Sequence, residues 1–245
     1  MSFDSYFVLA GLAALLVGLS KGGLPTVGML AVPLLSLFMS PVKAAVLLLP
    51  IYVISDVVSV WLYRKDFSLP NLKILIPAGV LGVLIGWLTA SFTSDSAVKL
   101  MIGCMGVGFC LNTWLRKTPQ DKQAVDVKKG WFWGTVAGFT SFISHAGGPP
   151  FQIYVLPQRL PKIQFAGTAT LLFAVINAAK IWPYQLLQPY SYDDLMRAAD
   201  LIPFALVGTV LGAYITKKIA DVWFYRLVQG GLFVVSLKLI ADVVL

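Results

Sequence analysis

Ten apolar runs, near residues 5–20, 26–39, 43–63, 71–90, 97–116, 130–144, 149–157, 163–186, 195–216 and 222–243, restrict what this chain can become. Several approach the roughly 20 residues an α-helix needs to cross a hydrocarbon core. Inside that core each backbone N–H and C=O must find a partner within the protein, which favours helices. Charged residues make up 12% of the 245, about half the share of a soluble domain. Mean hydropathy is +0.81. The sequence therefore predicts an all-α polytopic membrane protein whose first partner is the lipid bilayer. The opening "MSFDSYFVLAG" carries no Lys or Arg before its apolar run, so it reads as a retained first helix and not a leader.

The formal net charge of +8 does not point to nucleic acid, because no basic face with interleaved aromatics accompanies it. Its distribution over the loops accounts for it instead. Alternating the runs across the membrane places Arg64, Lys65, Lys73, Arg116, Lys117, Lys122, Lys128, Lys129, Arg159, Lys162, Lys217 and Lys218 on one side. The other side takes Lys43, Lys99 and Arg197 with Asp193 and Asp194. By the positive-inside rule the basic side is cytoplasmic and both termini lie outside.

A polar linker near the middle divides the chain into a first membrane repeat (1–116), a cytoplasmic linker (117–129) and a second repeat (130–245). "SKGGLP" (20–25) lies over "HAGGPP" (145–150) at an offset of 125, and "PAGVLGVLIG" (77–86) over "PFALVGTVLG" (203–212) at 126. Two matches at nearly one offset indicate an internal duplication. Matched loops carry opposite charge bias: "YRKDFSLPNLK" is basic and its counterpart "PYSYDDLMR" is not. The expected architecture is two inverted-topology repeats, each with a broken or re-entrant helix pair followed by three spanning helices. The short runs 26–39 and 149–157 either cross or turn back. Gly82/Gly86 and Gly208/Gly212 fit close helix packing by small-xxx-small spacing.

"FISHAGGPPFQIY" (142–154) holds the single histidine of the chain. Gly-Gly permits close backbone approach, and a following Pro suits the first turn of a new helix. Gly22-Gly23 and Gly147-Gly148 thus read as breaks that open a second half-helix, whose positive end attracts anions. Lys21 and His145 flank the breaks, and Asp56 and Lys180 lie deep in apolar runs, with Asn177 one turn before Lys180. Ionisable groups in such places line a pathway or pair with each other. The expected substrate-binding set is Lys21, Gly22, Gly23, His145, Gly147, Gly148, Asn177 and Lys180, and Asp56 and His145 are the candidates for proton coupling. Each has a plainer alternative: an interfacial or snorkelling lysine, a structural ion pair for Asp56, a helix cap for His145.

Cys104 and Cys110 stand six apart with no second His or Cys group, so no metal is expected. No cofactor or ATP-binding motif of the GxxxxGK[ST] form is present, so none is expected and a primary pump is disfavoured. Ser141 and His145, four apart, could face each other as a hydrolase dyad, which keeps an intramembrane enzyme and an anion channel as alternatives to a carrier. A homodimer is compatible with such a chain, and nothing in the sequence selects it.

The paired Gly-Gly-Pro breaks, with "GLSKGGLPTVGMLAVPLL" and "KAAVLLLPIYVISDVVSVWLYRKDF" in the first half and "GTVAGFTSFISHAGGPPFQIYVL" and "GTATLLFAVINAAKIWPY" in the second, resemble the sulfite exporter TauE/SafE family. The resemblance implies a permease of the bacterial inner membrane for a small anion, sulfite or an organosulfur anion such as a sulfonate. It carries the family glycines onto Gly22, Gly23, Gly147 and Gly148, and a polar pair onto Asn177 and Lys180. The chain departs from the family pattern at "SKGGLP", where relatives have a longer glycine run.

Overall fold

A computed structural model describes residues 3–25, 27–35, 38–39, 41–115 and 122–244. Arg116, Lys117 and the start of the expected linker lie outside the described residues. Among the described residues there are ten α-helices and no strand. Six are long and apolar enough to cross a membrane: α3 (Pro41–Tyr63), α4 (Leu69–Thr89), α5 (Asp95–Leu115), α8 (Lys162–Leu187), α9 (Tyr192–Lys218) and α10 (Asp221–Val244). Their outward faces are apolar, with Val57, Leu84, Leu111, Val207 and Val234 all exposed. That is the arrangement of a chain solvated by lipid, and the protein is a multi-pass membrane protein.

The other four helices form two hairpins. α1 (Phe3–Lys21) ends at the first Gly-Gly and is followed by a 3₁₀ turn (Val27–Leu30) and α2 (Ala31–Leu35); α6 (Val127–Ser144) ends at the second and is followed by α7 (Gly148–Val155). Eight residues of α7 rise only about 12 Å, too little to cross a core of about 30 Å. The chain turns back instead. Tyr154 Oη, near the end of α7, donates to the carbonyl of Asp126 at 3.0 Å, and Gln123 N–H donates to the carbonyl of Pro157 at 3.1 Å. The end of the return segment thus stands beside the start of α6. Each half is a hairpin followed by three long helices, which settles the two alternatives left by the sequence.

Glycines set how these pieces join. A Cβ on Gly212 would fall 2.6 Å from the carbonyl oxygen of Leu19, and one on Gly208 would fall 2.4 Å from that of Leu15. On the other side of the molecule a Cβ on Gly82 would meet the Thr135 oxygen at 2.1 Å, and one on Gly138 the Gly79 oxygen at 1.9 Å. Backbone therefore lies on backbone along α1/α9 and α4/α6, the small-xxx-small packing expected of Gly82/Gly86 and Gly208/Gly212. Residue numbers rise together along both contacts, so each pair runs parallel. Exchanging the halves turns one of these pairs into the other and leaves the contacts of α3 with α8 and of α5 with α10 in place.

The loops sort by charge. Lys162 Nζ lies 3.3 Å from Asp221 Oδ1 and donates to the Lys217 carbonyl at 3.3 Å, and Asn71 beyond the Arg64–Lys65 turn bonds Gln158 at 2.8 Å. The described basic loops around 64–65, 122–129, 159–162 and 217–218 thus share one end of the bundle. α4 begins there and α9 ends there, so the equivalent helices of the two halves run in opposite senses.

Backbone contact at these crossings leaves no room for a side chain. Gly212→Ala and Gly82→Ala are expected to destabilise the protein by about 1–3 kcal/mol through overpacking. Gly108→Ala, with nothing within 4 Å of its new methyl group, should change stability by no more than about 0.5 kcal/mol. Thermal denaturation of the purified protein in detergent reads the difference.

Candidate functional site

The two breaks are built differently. At the first, Leu24 N–H donates to the Leu19 carbonyl at 3.3 Å and Gly23 N–H to the Ser20 carbonyl at 3.2 Å. This is a Schellman closure, and Gly23 takes the positive φ of 115° that such an end requires. Gly22 N–H also stays bonded, to Gly18 at 2.8 Å. The first break therefore ends a helix and closes its own N–H groups. The expectation that Gly22 and Gly23 offer free N–H groups to an anion is not met. A Cβ on Gly22 would fall 2.5 Å from Ala213 N, so this glycine is there for packing.

At the second break the residue with positive φ is His145, at 52°. This is a left-handed conformation that a histidine tolerates better than most residues but still at a cost of about 1–3 kcal/mol. His145 N–H donates to Ser141 at 3.2 Å and Ala146 N–H to Thr140 at 3.2 Å, so His145 does cap α6. α7 then starts at Gly148 with Pro149 in its first turn, as expected.

Between the breaks the buried polar side chains meet in two groups. Lys21 Nζ lies 2.6 Å from Asp56 Oδ1, and Asn177 Nδ2 donates to Asp56 Oδ2 at 2.7 Å. Lys180 Nζ donates to the carbonyl and the hydroxyl of Ser141, both at 3.1 Å, and stands 3.2 Å from His145 Nδ1. The other ring nitrogen, Nε2, stands 3.4 Å from Tyr184 Oη, so the His145 ring bridges Lys180 and Tyr184. Tyr184 Oη in turn donates to the Phe142 carbonyl at 2.7 Å. The Tyr52 ring links the groups: His145 stacks on it at 5.2 Å, and Lys21 Nζ lies 5.1 Å from its centroid.

Local spacing makes these meetings possible. Tyr52 and Asp56 are four apart on α3, and Asn177, Lys180 and Tyr184 are spaced three and four on α8, so each set shares one helix face. Tyr52 and Tyr184 were not singled out in the sequence, where tyrosines are common in an apolar background. Their i+4 relation to Asp56 and Lys180 was the one available signal.

A cavity of about 50 Å³ lies between the breaks, room for roughly three to five water molecules. Of the expected binding residues, Lys21, His145, Gly147, Gly148 and Asn177 line it. Gly22 and Gly23 do not. Lys180, wholly buried, stands behind Ser141 and His145 rather than on the wall. Asp56 is likewise set back, with both oxygens engaged by Lys21 and Asn177. The Ser141/His145 dyad does not form, because the Lys180 amine occupies the space between the two side chains.

Two buried lysines thus face one buried carboxylate. Breaking the ion pair from either side should cost about 3–5 kcal/mol, because the remaining charge stays buried without its partner. Asp56→Asn or Lys21→Met is expected to lower the midpoint of thermal unfolding strongly, and Lys21→Met combined with Asp56→Leu to recover most of it. A double variant no better than the worse single would show that the two groups do not act as a pair.

The family model described as "Sulfite exporter TauE/SafE" matches residues 9–239. No curated protein and no solved structure matches the chain.

Proposed function

Because the chain belongs to the sulfite exporter TauE/SafE family, we propose that it is a secondary transporter that carries a small oxyanion of the sulfite type, sulfonates included, across the bacterial inner membrane. The observation that carries this reading is the convergence of two buried lysine amines and the His145 ring on a single buried carboxylate beside the cavity. The one Asp56 carboxylate is paired with Lys21, so Lys180 holds a proton in this interior only at a high cost unless a second negative charge stands nearby. A monovalent anion in the adjoining cavity supplies that charge. The positive end of α7 points at the same place, where Gly147 and Gly148 N–H groups have no partner among the described residues.

The repeats at 1–116 and 130–245 would be the units that move, one hairpin and its helices rocking against the other around the shared site. The basic end of the bundle is taken as cytoplasmic, with both termini periplasmic. Of the two candidates for proton coupling, His145 is the better placed. Its ring bridges Lys180 and Tyr184, whereas both Asp56 oxygens are already engaged.

Proteoliposomes loaded with unlabelled sulfite should take up labelled sulfite by saturable counterflow. Lys180→Met is expected to reduce that flux by about a hundredfold, the loss of a charged partner to an anion. An inward-acid pH gradient should alter net flux in the wild type and not in His145→Asn. Absence of any sulfite or sulfonate flux, or an undiminished flux in Lys180→Met, would contradict the assignment.

A further inference from the structure

The start of α7 is a poor anion site by its backbone alone. A helix ordinarily offers four unbonded N–H groups at its first turn. Here Pro149 and Pro150 have none to offer, and Phe151 N–H is already bonded to the Gly147 carbonyl at 3.4 Å. Only Gly147 and Gly148 remain. A ligand held at this end of the cavity needs a donor from a side chain.

Gln152 is one turn further along α7. Its side chain is wholly buried, and neither Nε2 nor Oε1 has a hydrogen-bond partner. A primary amide left so in the interior of a membrane protein is costly on both atoms, and natural structures seldom keep one without a use for it. Its position is informative. A Cβ built on Gly148 would stand 3.6 Å from Gln152 Nε2, 3.6 Å from Met29 Sδ and 3.8 Å from the Pro25 carbonyl oxygen. Gly148, Met29 and Pro25 all line the cavity. Gln152 is not itself on the cavity wall; its amide nitrogen stands directly behind Gly148, at the helix end that lacks donors.

We propose that the Gln152 carboxamide is a substrate contact: Nε2 donates to an oxygen of the bound oxyanion beside the Gly147 and Gly148 N–H groups, and Oε1 accepts from a water or a protonated oxygen of the same ion. This rests on the reading of the protein as an oxyanion transporter. An amide that offers a donor and an acceptor together suits an ion whose oxygens accept and which brings an O–H with it, as hydrogensulfite does. The small side of Gly148 has a matching purpose. Its backbone is outside the left-handed region and a methyl group would fit there at ordinary contact distance, so glycine is required neither by conformation nor by packing. It leaves open the space through which the amide reaches the ligand.

The test is labelled sulfite transport in proteoliposomes, with thermal stability of the same preparations, for the wild type, Gln152→Met and Gly148→Ala. Gln152→Met keeps the length of the side chain and removes the amide. The expected result is a KM raised about tenfold or more, the loss of a hydrogen bond to a charged group, with maximal rate within about twofold and stability equal to or above the wild type. Gly148→Ala should raise KM in the same direction without loss of stability. An amide that is only structural predicts the reverse, a shift in stability with KM unmoved, and that result in both variants overturns the assignment. Should the wild type move no sulfite at all, the transporter reading falls and takes this assignment with it; a transporting wild type with an unchanged Gln152→Met removes the Gln152 assignment alone.

Discussion

Lys21, Asp56, His145 and Lys180 have to be held together inside a bundle whose outside is oil. Each is a liability by itself, since a charged or polar group in hydrocarbon is stabilised neither by water nor by lipid. The cost is met by meeting. Asp56 takes Lys21 on one oxygen and Asn177 on the other, and Lys180 takes Ser141 and His145. Nearly everything else about the molecule brings these groups into reach. Glycines let α1 lie on α9 and α4 on α6 with backbone touching backbone, and the crossing of α3 with α8 delivers Tyr52, Asp56, Asn177, Lys180 and Tyr184 to one place.

The two breaks divide the work. The first closes its own N–H groups and gives its carbonyls to hydroxyls of the crossing helices: Tyr63 donates to Gly22 at 2.7 Å, Tyr52 to Gly28 at 3.0 Å and Thr170 to Lys21 at 3.3 Å. The second fixes the end of α6 through Lys180 on the Ser141 carbonyl and Tyr184 on the Phe142 carbonyl, and leaves the Gly147 and Gly148 N–H groups open. One break is thereby an anchor, and the other faces the cavity with unbonded donors. α3 and α8 hold both, so a displacement of either helix is felt at both ends of the site.

Much of this was legible in the chain. Apolar run lengths specified the six long helices, and the paired Gly-Gly motifs marked both hairpins, because breaking a helix in lipid demands residues that have no other reason to be there. The described basic loops around 64–65, 122–129, 159–162 and 217–218 fall together at one end of the bundle, as their charges required. What the sequence could not show was pairing. Lys21 and Asp56 are 35 positions apart, and nothing local indicates whether that aspartate meets Lys21 or Lys180. The two breaks also look alike as strings, "GGLP" and "GGPP", yet their hydrogen bonds differ: Gly23 makes the left-handed turn at one, His145 at the other. Tyr52, Tyr184 and Gln152 escaped notice because a tyrosine or a single glutamine in an apolar run has no pattern of its own; only the finished packing shows which partners each has, and that Gln152 has none.

The central claim is that one anion binds between the breaks and is balanced there by Lys180, the buried lysine that Asp56 does not pair. Calorimetric titration of sulfite into the purified protein in detergent tests it without transport. The account predicts one saturable site per chain, lost in Lys180→Met and retained in a surface control such as the exposed Lys73→Met. Equal binding by Lys180→Met, or no binding by the wild type, would contradict it.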